Sequence, residues 1–78
     1  MEYFVYLLEC CDGSVYTGIT NDLEKRMLAH KNGTGSKYVK AKGFKKLLAS
    51  RKFKDKSTAL KEEYKIKQLK KEEKIKCF

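Results

Sequence analysis

Cysteine is scarce in this chain and arranged for nothing. Cys10, Cys11 and Cys77 are odd in number, two are adjacent, no C-x-x-C spacing occurs, and the chain has a single histidine. Neither a disulfide framework nor a zinc site is indicated, and free thiols predict a reducing, cytoplasmic setting. Long apolar runs are missing too. None approaches the roughly 18 residues of a membrane span, and Met1-Glu2-Tyr3 enters a strand-like run without a basic leader, so a soluble protein with no membrane partner is expected. No repeat or linker interrupts the 78 residues, and that length predicts one domain, residues 1–78, hiding roughly 60–65% of its unfolded surface. Acidic residues are the last shortage: ten Asp and Glu face nineteen Lys and Arg, a formal charge of +9. That excess is larger than solubility alone explains and predicts a polyanionic partner, most often nucleic acid.

What is present begins with two strands. Tyr3–Cys10 is rich in aromatic, β-branched and leucine residues, Ser14–Thr20 is similar, and Asp12-Gly13 between them signals a hairpin. Both faces of the first strand are apolar, as in a central strand or one whose second face carries a site. Asn21-Asp22-Leu23-Glu24 then offers a helix cap, with Glu24 in capping-box spacing from Asn21, and Gly33 closes that helix. Leu23, Arg26, Met27 and His30 share one arc of it. Gly33-Thr34-Gly35-Ser36 opens an expected mobile, solvated basic loop through Lys37, Lys40, Lys42, Lys45 and Lys46, with Tyr38 and Phe44 interleaved. Leu47–Phe53 reads as a third strand, and Asp55 or Ser57 caps a second helix that runs to Leu69 or Lys70. Lys71–Phe78 reads as a final helical turn or two, with Ile75 and Phe78 packing back.

Glu63 is the anomaly of the second helix. Ala59, Leu60, Tyr64, Ile66 and Leu69 spread over one broad apolar arc, and Glu63 falls near its centre. An unpaired buried carboxylate is expensive, so Glu63 needs a buried arginine, a metal ion or a water-filled cleft. A salt bridge to Arg26 would satisfy it structurally. Taken singly, Tyr6 and Tyr16 are ordinary strand aromatics and His30 an ordinary helix residue. As an ordered set with Arg26 and Glu63 they can make a one-metal phosphodiesterase site.

That series is Phe4-Val5-Tyr6, Tyr16-Thr17-Gly18, the run on to Glu24, then Arg26, His30, Lys37-Tyr38, and Ala59-Leu60 ahead of Glu63. Over nearly the whole chain it resembles the GIY-YIG nuclease superfamily, and within it the small stand-alone UPF0213 proteins. The resemblance implies an α+β fold, β-β-α-β-α, with a three-stranded antiparallel sheet flanked by helices. It implies a metal-dependent DNA endonuclease in repair or recombination, acting on branched or single-stranded DNA. The alternatives are a catalytically weak DNA- or RNA-binding module and a nuclease activated only by a protein partner. Tyr6, Tyr16, Arg26 and Glu63 would line one cleft, with His30 where related nucleases carry a His or a Tyr. Glu63 would bind one Mg²⁺ or Mn²⁺, Arg26 would neutralise phosphate charge, and a tyrosine could deprotonate water if cations lower its pKa. Lys37, Tyr38, Lys40, Lys42, Lys45 and Lys46 would meet the nucleic acid. The sequence departs from the family pattern at Phe4, where Gly is usual, at Thr17, where Ile is usual, and at Ile19, where excision-repair relatives place Lys. It also lacks the downstream Asn of some homing nucleases. A shared cleft requires both tyrosines on one sheet face. A two-residue turn would separate them, so the resemblance predicts a three-residue loop, Cys11-Asp12-Gly13, with Gly13 at positive φ and Leu8 opposite Tyr16.

Overall fold

The computed structural model describes residues 2–78; Met1, at the head of the first strand-like run, lies outside them. The two β-rich segments become β1 (Tyr3–Cys10) and β2 (Val15–Thr20), and a third strand, β3, spans Phe44–Phe53. The sheet is antiparallel in the order β2-β1-β3. Four helices complete the α+β fold: α1 (Leu23–Lys31), α2 (Lys37–Lys42), α3 (Lys56–Lys67) and α4 (Lys71–Lys76).

β1 is central and buries both faces, which explains its apolar sequence. Val5 and Leu7 pack with Val15 of β2 and with Ala59 and Ile66 of α3, and Phe53 and Phe78 close around them. On the other face Tyr6, Leu8 and Cys10 pack with Val39 of α2, with Leu23 and Met27 of α1, and with Tyr16, Phe44 and Leu47. Each fully buried valine or leucine among them contributes about 1.5–3 kcal/mol by leaving water. The sheet is thus a partition, with α3 on one side and α1 and α2 on the other.

The hairpin has the expected three-residue loop. The Cys10 amide donates to the Ser14 carbonyl at 2.9 Å, the Gly13 amide donates to the Cys10 carbonyl at 3.0 Å, and Gly13 sits at φ 87°. Leu8 faces Tyr16 and Tyr6 faces Gly18. Because side chains alternate along a strand, Tyr6 and Tyr16 share a face.

Three local expectations are corrected. The cap of α1 is Asp22 rather than Asn21: its carboxylate accepts from the Lys25 amide at 3.1 Å. The Thr20 hydroxyl braces this cap by accepting from the Asp22 amide and donating to the Asp22 carbonyl, both at 3.1 Å. The expected basic loop is instead largely ordered secondary structure. Ser36 caps α2 by accepting from the Val39 amide at 3.1 Å, Val39 is fully buried, and Gly43 at φ 86° turns the chain into β3. One buried valine among exposed lysines leaves no helical period to read. β3 also begins at Phe44 rather than Leu47, because its pairing with β1 shifts register between Leu7 and Leu8 and again between Glu9 and Cys10. Such bulges break the alternation by which a strand is recognised. Asp55 caps α3, accepting from the Thr58 amide at 2.7 Å.

Candidate active site

Tyr6 points from the central strand across β2, its ring lying on the backbone of Gly18. A β-carbon at position 18 would overlap the phenol oxygen and its ring carbon. Only glycine permits this approach. The Tyr6 hydroxyl lies 2.8 Å from His30 Nε2, a buried contact that ties β1 to α1. Tyr16, one residue pair along the same face, has its ring 6.4 Å from that of Tyr6 and 5.7 Å from that of His30, the latter edge-on.

The Gly33–Ser36 turn closes the site from behind. The Thr34 and Gly35 amides both donate to the Ala29 carbonyl, at 2.9 and 3.2 Å, which folds the turn back along α1. Gly35 thereby lies against the imidazole, and a β-carbon there would come within 2.6 Å of His30 Nδ1. Its carbonyl accepts from Arg26 Nη1 at 3.3 Å. Sequence pattern alone assigns no role to Gly18 or Gly35. Their only signals are the place of Gly18 at the end of the Tyr16-Thr17-Gly18 triplet and that of Gly35 in a short Gly-Thr-Gly turn.

Burial sets the electrostatics. Tyr6 and His30 are 1% and 2% exposed. Burial pushes the Tyr6 phenol well above its ordinary range, with Tyr16 and Glu63 adding to the rise and Arg26 opposing it. The expected lowering by nearby cations is therefore outweighed at Tyr6, because a phenolate there would be stripped of water. Burial also depresses His30, and the Arg26 charge depresses it further. Both members of the pair are uncharged at neutral pH. His30 Nδ1 is one of two buried side-chain polar atoms without a hydrogen-bond partner among the described residues; the other is Thr17 Oγ1.

Glu63 approaches from the other side. Its helix packs on the Val5–Leu7 face and against β2, so the set is divided by the edge strand: Tyr6, Tyr16, His30 and Arg26 on one side, Glu63 on the other. The charge of Glu63 still raises Tyr6. Its side chain is only 14% exposed, and its partner is Lys67, one helical turn on, at 3.6 Å, rather than Arg26. The lysines divide as well. Lys37, Lys40 and Lys42 are exposed on α2 beside the tyrosine face. Lys45 pairs with Glu9 at 3.9 Å, while Lys46 stands opposite Glu9 in the ladder, on the face covered by α3.

The described residues contain no helix long and apolar enough to cross a membrane. The GIY-YIG catalytic domain model matches residues 2–76. A UPF0213 protein of Oceanobacillus iheyensis is 48% identical over 77 residues, 99% of this chain and 90% of the relative. One of Clostridium perfringens is 47% identical over 72 residues, 92% of this chain and 77% of the relative. Among solved structures, the solution NMR structure of a UPF0213 protein from Bacillus halodurans aligns with a TM-score of 0.62 at 40% identity, covering 99% of this chain and 82% of that one. With the tyrosines, His30 and Arg26 assembled on one face and the fold that holds them matched over nearly its whole length, the chain belongs to the GIY-YIG nuclease family, in its UPF0213 group.

Proposed function

We propose that the protein is a metal-dependent DNA endonuclease that hydrolyses phosphodiester bonds, with a role in DNA repair or recombination. The observation that carries this reading is the meeting of Tyr6, Tyr16, His30 and Arg26 beside a strand edge with Glu63 across it. Among the described residues no group of three or more His, Cys, Asp and Glu could chelate an ion. One carboxylate is nonetheless a fitting donor set for Mg²⁺ or Mn²⁺, hard ions that keep most of their waters. The ammonium of Lys67 beside Glu63 is already a cation held in this position. Glu63 would hold the single ion, which when bound supplies a Lewis acid for a phosphate oxygen and a more acidic water.

The chain's own groups then divide the work. Arg26 uses one guanidinium donor on Gly35, which fixes its head, and the remaining donors can meet a phosphate with the charge that develops on it. Tyr6 keeps its proton and holds its place by its contact with His30. Tyr16, only partly buried, is the hydroxyl that water can reach. The exposed lysines of α2 would supply non-specific attraction to the DNA backbone.

The test is incubation with plasmid, single-stranded, flapped and branched DNA, with Mg²⁺ or Mn²⁺ and with EDTA. Cleavage should appear only with metal and disappear in Glu63→Gln. Full activity in that variant would remove Glu63 as the ligand, and no cleavage of any substrate with either metal would reduce the protein to a binding module.

A further inference from the structure

The aromatic row does not end at Tyr16. Tyr38 of α2 stacks on it, ring centroids 5.6 Å apart and planes 26° from parallel. Tyr6 is sealed in the core, whereas Tyr38 is 43% exposed. Its mounting is firm: Ser36 caps the helix, the fully buried Val39 anchors it, and the Gly43 amide closes it on the Val39 carbonyl at 2.7 Å. Lys42 Nζ lies 5.9 Å from the Tyr38 ring centroid and 3.4 Å from Asp12. Both partners of that ion pair are exposed, so water screens it and a phosphate can compete for the ammonium.

An exposed ring fixed beside lysines matches the needs of an unpaired nucleotide, whose base stacks on the ring while its phosphate takes the ammonium. Inside a duplex both faces of every base are already covered, so a helix-mounted ring reaches a base only at an end, a flap or a single strand. Resting on the nuclease reading above, we infer that Tyr38 is a stacking platform for an unpaired DNA base beside the phosphate at the Tyr6–Tyr16 site. Lys42 leaves Asp12 for the phosphate of that nucleotide. The substrate preferred by this site is therefore single-stranded or frayed DNA.

The experiment is a binding titration in EDTA, where no metal-dependent cleavage intrudes. A short single strand carrying a fluorescent adenine analogue, quenched when it stacks, is compared with the same sequence as a blunt duplex. The wild-type protein should prefer the single strand and quench the probe. Tyr38→Ala should weaken single-strand binding on the order of tenfold more than duplex binding, abolish the quenching and leave the salt slope unchanged, since stacking releases no counterions. Tyr38→Leu, which still covers Tyr16 but has no π-face, should behave like Tyr38→Ala, and Tyr38→Phe should retain the quenching. Lys42→Gln should flatten the slope by about one. Equal weakening on both DNA forms, undiminished quenching in Tyr38→Ala and Tyr38→Leu, or absence of quenching in Tyr38→Phe would each overturn the platform. Metal-dependent cleavage in parallel keeps the two readings apart, because a protein that cuts DNA yet fails this titration loses only the platform.

Discussion

The Tyr6 hydroxyl and His30 Nε2 meet at 2.8 Å inside the protein, with nothing charged at either end of the contact at neutral pH. Among the described residues His30 Nδ1 has no hydrogen-bond partner. Which ring nitrogen of His30 carries the proton decides which of the two groups donates in this contact. Sheet and first helix are joined by a hydrogen bond between two groups that burial keeps neutral.

Acid should destabilise the fold, because it places a charge on a buried imidazole near Arg26. Burial, then the Arg26 charge, hold the His30 pKa below its ordinary 6.5. The unfolded chain therefore binds a proton that the folded chain refuses, and the contribution of His30 is complete above about pH 6.5 and disappears as pH falls towards the depressed value. The expected result is a fall in the urea midpoint between pH 7 and pH 5 that is absent in His30→Gln, with the imidazole carbon resonances titrating below 6.5 in the native protein. A midpoint that is flat across this range, or identical in the variant, would contradict it.

Gly18→Ala should be costly although position 18 has no positive φ. The added methyl would overlap the Tyr6 hydroxyl and ring. That ring cannot swing aside, being 1% exposed and held by His30. Overpacking of this kind costs about 1–3 kcal/mol. Tyr6→Leu removes the obstacle, so Gly18→Ala should cost far less in that background, a coupling readable from a double-mutant cycle of urea denaturation. Additive effects would show that the close approach is not what position 18 requires.

The parts legible in the sequence are those with a local cause. The hairpin followed from Asp12-Gly13 together with the requirement that Tyr6 and Tyr16 share a face, and the positive φ of Gly33 from its place at the end of α1. What escaped depended on partners distant in the chain. Helix α2 exists because Val39 is buried in the cluster with Tyr6, Leu8 and Cys10, which no period of six residues can announce. The head of β3 was hidden by two bulges that set Lys45 and Leu48 outside the pairing. Glu63 stood out as a carboxylate on an apolar arc, but whether Arg26, Lys67 or an ion answers it depends on which side of the sheet α3 takes. The roles of Gly18 and Gly35 could be seen only once the Tyr6 and His30 rings were in place.

The division of the lysines should be visible in salt titrations. Lys37 and Lys40 stand exposed on α2 beside the tyrosine face, whereas Lys46 lies in register with Glu9 on the α3 face. On duplex DNA each phosphate that a lysine no longer neutralises lowers the slope of log affinity against log salt by about 0.9. Lys37→Gln with Lys40→Gln should therefore flatten it by about two, and Lys46→Gln by well under one. The reverse ranking would place the DNA on the opposite side of the sheet from the tyrosines.

Thr17 should be a place where the protein can be made more stable. It faces α3 between Val15 and Ile19, is 2% exposed, and its hydroxyl has no hydrogen-bond partner among the described residues. A buried hydroxyl without a partner gives up its bonds to water and gains nothing in return, at a cost of about 1–3 kcal/mol. Valine has the same branched shape without the oxygen, and it favours a strand as strongly as threonine does. Thr17→Val is thus expected to raise stability by about 1 kcal/mol, measured as a higher urea midpoint at unchanged m. Thr17→Ser, which keeps the hydroxyl and drops the methyl, should be less stable than the parent. If valine destabilises instead, the hydroxyl is bonded in solution, and the α3 side of β2 holds a polar partner or a water that the packing of Thr17 does not reveal.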